Sequence, residues 1–508
     1  HTRCCSWSRG LGDVYKRQAQ VPLDGQLRAA IDEARQIRSH VARKRQMQFV
    51  AKLLRRIDQE PITLAIEAFD MDARQLAARQ HRSEAWRDHL LDAGDAAVGE
   101  LAEQRRDADA QAIRQLIRNA RREAERNKPP SAARSLFRIL RAMDRPTIDH
   151  RGPEFGELGI EVLHGIKRIF KTKQAVAIYP ASGTGAWEAA LVNTLSPGDK
   201  VLMVETGQFA TLWSNLAKRF GLNVVFIPGD WRSGVNPVQI AEFLGDDGQH
   251  EIKAVCIVHN ETSTGVTSNI QAVRQAMDDV AHPALLMVDT ISSLACMDFR
   301  HDEWRVDVTV SSSQKGLMLP PGLSFTAVSE NALRASKSSR FAKSYWRWDE
   351  MLKANEKGFF PYTPATNLLY GLREAISMLN EEGLDNVFAR HGHHAEATRR
   401  AIKAWGLELL CRNPEEYSNS LSAVFLPDGQ DADAFRKVAL DNFDISLGSG
   451  LGKVAGRIFR IGHLGDFNDL TLMGTLSGVE MSLRLFGLDN ARGGVDAALD
   501  YLTGIRRQ

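Results

Sequence analysis

The chain has 508 residues, a formal net charge of +2, 43% hydrophobic residues and 25% charged residues. This length exceeds one hydrophobic core and predicts two or three domains of globular composition. No apolar run reaches the roughly 20 residues that cross a bilayer, and no secretory signal opens the chain, so a cytoplasmic location is expected. The five cysteines lack metal-ligand spacing, which argues against a zinc site and a disulfide framework.

The charge is unevenly distributed along the chain. Residues 1–145 carry 29 Lys and Arg against 20 Asp and Glu, whereas the remainder carries 36 against 43. This asymmetry indicates that two different parts have been joined. The first 18 residues begin with His1 rather than Met, show no apolar periodicity and resemble translated adapter sequence. We expect residues 1–18 to be unstructured and exclude them from the fold prediction.

Residues 19–138 are predicted to form an all-α helical bundle. Apolar residues recur at helical spacing, without strand-like alternation, over Leu27 to Val41, Phe49 to Ile57, Trp86 to Leu91 and Ile113 to Ala120. Basic clusters lie along the same stretch, at Arg43-Lys44-Arg45, Arg55-Arg56, Arg105-Arg106 and Arg118-Asn119-Ala120-Arg121-Arg122. Such clusters suit phosphate backbones, but an ordinary solvated helix surface explains them as well.

Three motifs in this stretch resemble the dual-action ribosomal maturation protein family. They are Ala34-Arg35-Gln36-Ile37-Arg38-Ser39-His40, Arg45-Gln46-Met47-Gln48-Phe49-Val50-Ala51-Lys52-Leu53 and the run from Arg114 to Glu123. The resemblance implies contact with ribosomal RNA of the assembling large subunit, with the arginine clusters as the candidate residues.

From residue 139 onward, short apolar strands alternate with helical segments. The predicted strands are Ala175 to Tyr179, Lys200 to Val204, Val224 to Ile227, Ala254 to Val258, Leu285 to Val288 and Val306 to Val310. This alternation predicts a doubly wound, mostly parallel α/β sheet, whose ligands bind beyond the carboxyl ends of the strands.

Lys315 stands out because it follows a predicted strand, between a run of small residues and a Gly/Pro turn. Such a lysine loses hydration, so its pKa falls and its amine becomes a nucleophile for a carbonyl cofactor. Asp289 directly follows another predicted strand, and a small-residue turn at Ser182-Gly183-Thr184 opens a predicted helix. Each signal alone is weak and has a structural explanation, but together they predict a pyridoxal phosphate site.

The residue types fit this cofactor. Lys315 would hold its aldehyde as an internal aldimine and then carry a proton, and Asp289 would pair with the pyridine nitrogen. Phe209 is expected to stack on the ring, and Thr262 to bind its hydroxyl group. Trp187 is a rival for stacking, although its place one turn into a helix favours the core. The phosphate would be held by Ser182, Gly183, Thr184 and Gln314.

Several long motifs from about residue 138 to the end resemble the serine–glyoxylate and alanine–glyoxylate aminotransferases of the class V pyridoxal phosphate family. They are Ala181-Ser182-Gly183-Thr184-Gly185, His259-Asn260-Glu261-Thr262-Ser263-Thr264-Gly265, Val288-Asp289-Thr290-Ile291-Ser292-Ser293, Ser313-Gln314-Lys315, Pro361-Tyr362-Thr363-Pro364-Ala365-Thr366 and Phe459-Arg460-Ile461-Gly462-His463-Leu464-Gly465.

This resemblance implies the fold-type I architecture. A mostly parallel seven-stranded sheet would form a three-layer α/β/α large domain over 139–378, followed by a small α/β domain over 379–508. It also implies a homodimer in which Tyr362 and Thr363 reach the phosphate of the partner chain. Arg460 would clamp the substrate carboxylate, with Thr262 as a further substrate contact.

One departure from the family concerns the segment before Ala142-Met143-Asp144. A Gly-Pro-Thr/Ser-Asn segment that crosses the active site in the family is absent here, and the helical sequence takes its place. We therefore hypothesise that the chain is a chimera of two sequences.

Two other functions stay open at this point. The chain could be an RNA-binding, ribosome-associated protein with an inert enzyme part, or a lyase or desulfurase on the same fold. The sequence disfavours the latter, because no cysteine lies in the expected loop setting.

Overall fold

The computed structural model describes residues 85–104 and 148–504, together with Glu33, Gln46, Phe49 and Ile117. The chain divides into two compact units, His1–Arg145 and Pro146–Gln508. The predicted limits of the four segments, at residues 18, 138 and 378, stay predictions.

The described part of the first unit is helical. Residues 85–93 form a helix, and α1 follows at Asp95–Gln104. A small buried cluster holds these turns together through Leu90, Ala97, Val98, Leu101 and Ile117. The basic clusters and most of the other predicted helical segments lie outside the described residues, so the helical bundle as a whole stays a prediction.

The second unit is built on a seven-stranded sheet with the order β1-β9-β8-β7-β4-β2-β3. Its strands are β1 (Ala175–Tyr179), β2 (Lys200–Val204), β3 (Asn223–Ile227), β4 (Ile252–Val258), β7 (Leu285–Asp289), β8 (Val308–Ser312) and β9 (Ser324–Val328). Only β9 runs antiparallel to its two neighbours, and the other pairs are parallel. This confirms the predicted mostly parallel sheet.

One predicted strand is displaced, and one strand of the large sheet was missed. The strand predicted at Val306 to Val310 lies two residues later, and β9 was not predicted at all. Both deviations have the same cause, because β8 and β9 are rich in Ser and Thr that are buried in the sheet. A strand prediction that depends on apolar runs misses buried strands that are rich in hydroxyl side chains.

Helices cover both faces of this sheet, because alternate strand residues point to opposite sides. In β4, Ala254, Cys256 and Val258 belong to one core, and Val255 and Ile257 to another. The helices are α2 (Pro153–Ile169), α3 (Gly183–Thr194), α4 (Gln208–Arg219), α5 (Pro237–Gly245), α6 (Ile270–Asp279), α7 (Glu330–Ser336), α8 (Trp348–Asn355) and α9 (Thr366–Glu382). The result is the predicted three-layer α/β/α arrangement.

The remaining elements form a smaller α/β assembly around a separate core that contains Phe435 and Phe459. A three-stranded antiparallel sheet has the order β10-β12-β11. Its strands are β10 (Leu421–Phe425), β11 (Gly448–Ser449) and β12 (Ile458–Gly462), with helices α10 (Leu384–Ala404), α11 (Ala432–Phe443), α12 (Asp469–Leu485) and α13 (Gly494–Gly504). A short hairpin of β5 (Asn260–Glu261) and β6 (Val266–Thr267) completes the second unit.

No helix within the described ranges is long and apolar enough to span a membrane.

Helix α2 approaches the turn after α8 so closely that only glycine fits at position 159. A Cβ on Gly159 would overlap the backbone of Gly358, including its carbonyl oxygen. We expect Gly159→Ala to lower the free energy of unfolding by about 1–3 kcal/mol, because backbone must move to admit the methyl group.

Gly474→Ala in α12 is the matched control for this prediction. Position 474 is also helical, but a Cβ there would meet nothing within 4 Å. Helix propensity predicts that this variant keeps or raises the stability, by up to about 1 kcal/mol. Denaturant unfolding of both variants measures the difference, and equal stabilities would refute the close approach.

Candidate active site

Lys315 lies in a tight turn directly after β8. The hydroxyl of Ser313 closes this turn, donating to Pro320 O (2.7 Å) and accepting from Leu323 N (3.1 Å). The side chain of Lys315 is mostly enclosed, and in residues 148–504 its Nζ has no hydrogen-bond or ion-pair partner. Burial lowers the pKa of Lys315 and Arg460 lowers it further, while Cys296 and Asp289 act in the opposite direction.

Asp289 is the last residue of β7 rather than the residue after it, and it is 3% exposed. Its Oδ1 accepts a hydrogen bond from Ile291 N (2.7 Å), and its Oδ2 accepts one from Trp187 Nε1 (2.8 Å). Burial raises the pKa of Asp289 to about 7, against the effect of these two donors. The carboxylate is thus fixed by donors from two elements.

The Ser182-Gly183-Thr184 turn brings the start of α3 against these residues. A Cβ on Gly183 would overlap Cδ1 of Ile291 and would lie 3.6 Å from Ser312 Oγ. Ser182 is the N-cap residue, but its side chain makes no capping hydrogen bond. Ser182 and Thr184 are exposed, so the helix start presents free donors to an anion.

Phe209 is the second residue of α4, and a buried glutamate fixes its backbone. Both Phe209 N and Ala210 N donate to Glu261 Oε2, each at 3.1 Å. The same carboxylate accepts a hydrogen bond from the hydroxyl of Ser263 (2.7 Å), and burial raises the pKa of Glu261. Ser263 Oγ also accepts from Gln208 N (2.9 Å). Glu261 and Ser263 therefore cap α4 from another part of the chain.

Arg460 on β12 contacts Thr262, the residue that follows Glu261 in the chain. Its Nη1 donates to Thr262 O (2.7 Å) and its Nε donates to Ser449 O (2.8 Å). Nη2 makes no hydrogen bond to residues 148–504, so one edge of the guanidinium is left for a ligand. Burial lowers the pKa of Arg460, but Glu261 opposes this effect.

Tyr362 and Thr363 lie elsewhere, beside an open cavity of about 550 Å³. His150, Arg151 and Phe359 line the same cavity, whereas Lys315 and Asp289 do not. Tyr362 stacks on Tyr345 with ring centroids 4.7 Å apart, and its hydroxyl donates to Ser344 O (2.8 Å). Thr363 is exposed. The structure of one chain therefore does not bring these two residues to its own Lys315.

The structure brings Asp289 and Arg460 close enough to Lys315 to influence its charge. The Ser182 turn lies against Ile291, which follows Asp289, and the start of α4 is capped by Glu261, whose charge acts on Asp289. Glu261 was not predicted as a site residue, although it belongs to the motif from His259 to Gly265. Sequence alone does not distinguish a buried glutamate from an exposed one. Trp187 lies in the core as expected, stacked on Trp213 with centroids 5.8 Å apart. Its hydrogen bond to Asp289 was not foreseen.

These residues fit pyridoxal phosphate. Ser312 Oγ and Gln314 Oε1 are buried polar atoms without a hydrogen-bond partner among the described residues. They flank the free donors of α3 and the partnerless amine of Lys315, which suits a ligand with both a phosphate and an aldehyde. The described ranges hold no group of three His, Cys, Asp or Glu side chains that could bind a metal ion.

Comparison with known proteins divides the chain in the same place as its charge. The family model "Dual-action ribosomal maturation protein DarP" matches residues 13–141, and the model "Aminotransferase class-V" matches residues 140–463. The two matches meet at residues 140 and 141, close to the boundary predicted after residue 138.

Similar proteins cover the second part of the chain. The serine–glyoxylate aminotransferase of Methylorubrum extorquens is 48% identical over 72% of this chain and 92% of its own length. The L-aspartate–glyoxylate aminotransferase of Paracoccus denitrificans is 45% identical over 72% of this chain and 92% of its own length. The crystal structure of ureidoglycine–glyoxylate aminotransferase from Bacillus subtilis has a TM-score of 0.66 and 28% identity, covering 72% of this chain and 95% of that chain.

The fold, the site and these matches agree, and the chain belongs to the class-V aminotransferase family.

Proposed function

We propose that this protein transfers an amino group from serine or alanine to glyoxylate, using pyridoxal phosphate. The observation that carries the proposal is that Asp289 and Arg460 both act on the charge of the mostly enclosed Lys315, so that an amine, a pyridine partner and a carboxylate clamp belong to one site. The 48% identity to a serine–glyoxylate aminotransferase supports serine as the donor. The 45% identity to an L-aspartate–glyoxylate aminotransferase supports glyoxylate as the acceptor more strongly than any one donor.

Pyridoxal phosphate is the cofactor of this family, and it supplies a carbonyl carbon for the amino group and a ring that withdraws electrons from the substrate Cα. Lys315 would bind the aldehyde, and Asp289 would accept a hydrogen bond from the ring nitrogen. Phe209 would lie against the ring, and Thr262 would bind its hydroxyl. The phosphate would be held by Ser182, Gly183, Thr184 and Gln314.

The amine of Lys315 moves the proton at the substrate Cα. Its lowered pKa increases the fraction of neutral amine, which is the form that can take a proton. Once protonated, Nζ would return that proton to the carbon that has taken up the amino group. The side chain of Lys315 is mostly enclosed, which limits the access of water to this proton.

Arg460 orients the substrate. Its two hydrogen bonds to Thr262 O and Ser449 O hold the guanidinium plane in place and leave Nη2 for a substrate carboxylate. Serine, alanine and glyoxylate all carry this group, so one clamp serves both half-reactions.

A desulfurase function is disfavoured by the cysteines. Cys256, Cys296 and Cys411 are buried, and burial raises the pKa of each thiol. None of these three described cysteines is an exposed, reactive thiolate.

A second candidate function, contact with the assembling large ribosomal subunit, is favoured by the family match over residues 13–141. The basic clusters that would bind ribosomal RNA lie outside the described residues.

We also propose that the protein acts as a homodimer with shared sites. Thr363 is exposed, and Arg151 lines the same cavity, so this surface offers a hydroxyl and a guanidinium to an anionic group of a second chain. To contact that group as a donor, Tyr362 would exchange its hydrogen bond to Ser344 O.

The visible absorption spectrum tests the reaction directly. We expect the purified protein with pyridoxal phosphate to show an absorption band that serine bleaches and glyoxylate restores. Lys315→Ala should lack this band, because the covalent link needs Nζ. Lys343→Ala is the matched control, since burial also lowers the pKa of Lys343, and it should keep the band. A wild-type band that ignores serine, or no band at all, would contradict the proposed reaction.

Replacing Arg460 tests the carboxylate clamp. Arg460→Lys cannot keep both backbone hydrogen bonds and a substrate contact, so we expect KM for serine and glyoxylate to rise about 10- to 100-fold. Steady-state kinetics should show a smaller change in kcat. Arg457→Lys on the same stretch changes an exposed arginine and should leave KM unchanged. Equal effects of the two variants would exclude the clamp.

Mixing two inactive variants tests the shared site. Lys315→Ala and Thr363→Asp should each be inactive, and dissociating and reassociating them together should restore about one quarter of the wild-type activity, because half of the dimers then contain one intact site. Lys315→Ala mixed with Asp289→Asn is the control, since both changes fall in the same site and nothing is regained. A mixture no more active than this control would mean that Thr363 does not act on the partner.

A further inference from the structure

The indole of Trp187 reaches the carboxylate that is proposed to face the ring nitrogen. Trp187 is 3% exposed, lies on the second turn of α3 and donates Nε1–H to Asp289 Oδ2 at 2.8 Å. The two residues are 102 positions apart in the chain. No part of the reaction proposed above uses this contact.

The geometry of Asp289 leaves little freedom once both donors are in place. Ile291 N holds Oδ1 at 2.7 Å through a local turn, and this bond alone still allows the carboxylate to rotate. Trp187 Nε1–H fixes the second oxygen, so the plane of the carboxylate is determined. Each oxygen has two lone pairs and accepts one of these hydrogen bonds, so each can accept one further donor.

The environment makes this hydrogen bond consequential. Asp289 is buried beside Glu261, whose charge disfavours a second anion, and Lys315 acts in the opposite direction. A charge-assisted hydrogen bond from a fixed, neutral indole stabilises the carboxylate without adding a competing cation. Stacking on Trp213, with an interplanar angle of 11°, keeps the indole ring from turning away.

We propose that Trp187 is a positioning residue that holds Asp289 ionised and correctly oriented to pair with the ring nitrogen of pyridoxal phosphate. This inference rests on the role of Asp289 in the proposed function. It assigns a function to a core residue that does not itself touch the substrate.

The test compares the affinities of the apo protein for two ligands by equilibrium binding. Pyridoxal phosphate has a ring nitrogen, and 1-deazapyridoxal phosphate has a carbon in its place, so the ratio of their dissociation constants reports the pairing with Asp289. Trp187→Phe removes the N–H but keeps an aromatic ring, and we expect it to reduce this ratio about tenfold or more.

Trp213→Phe is the matched control. Trp213 is fully buried against Trp187, and its Nε1 has no hydrogen-bond partner among the described residues. This variant creates a similar cavity without removing a hydrogen bond, so it should keep the wild-type ratio even where both affinities fall.

The possible results test the role of Asp289 and the role of Trp187 separately. A wild-type protein that binds both ligands equally would overturn the role of Asp289 and this inference with it. A wild-type preference that persists in Trp187→Phe, or that falls equally in Trp213→Phe, would overturn the role of Trp187 alone.

A second measurement applies if Trp187→Phe does not fold. In apo protein labelled with ¹⁵N at its nine tryptophans, Asp289→Asn should shift one indole N–H resonance strongly, because that proton loses a carboxylate acceptor. Spectra in which no indole resonance moves would overturn the inference.

Discussion

The buried carboxylate of Asp289 is the constraint on which the site depends. It ends β7, with β4 and β8 on either side, so water cannot solvate it and the protein must supply its donors. One donor is Ile291 N, whose hydrogen bond to Asp289 holds the turn after β7. In this turn, the side chain of Ile291 packs closely against Gly183. The other is Trp187, the fifth residue of the helix whose start faces the proposed phosphate. The two ends of the proposed cofactor are therefore positioned by one interaction network.

A second network joins the large sheet to the small one. Glu261 fixes the backbone of Phe209. Thr262, which follows Glu261 in the chain, accepts a hydrogen bond from Arg460. Arg460 in turn lowers the pKa of Lys315. The residue expected to bind the substrate carboxylate thus also tunes the residue expected to move the proton. A carboxylate bound to Arg460 would offset part of its positive charge, so the amine would gain basicity once substrate is in place.

Short-range features of this structure could be predicted from the sequence, and long-range ones could not. Apolar strands such as β1 and β2 were predicted with their correct limits, because a run of apolar residues is a local signal in the sequence. The Ser- and Thr-rich β9 gave no such signal. The candidate residues at strand ends were found because a parallel sheet places them together. The partners of Trp187 and Arg460, 102 and 198 positions away, depend on the packing of distant elements.

The join between the two family matches lies before all the residues of the candidate site. Every site residue named here lies after residue 140, where the aminotransferase match begins. The contacts described for Lys315, Asp289 and Arg460 also lie within residues 148–504. What differs from the family is the segment expected to cross the active site, because the DarP-like sequence stands in its place. The residues proposed to move the proton and to bind the substrate carboxylate therefore all lie in Pro146–Gln508, whereas the sequence that replaces the family's segment lies in the part matched by the DarP model.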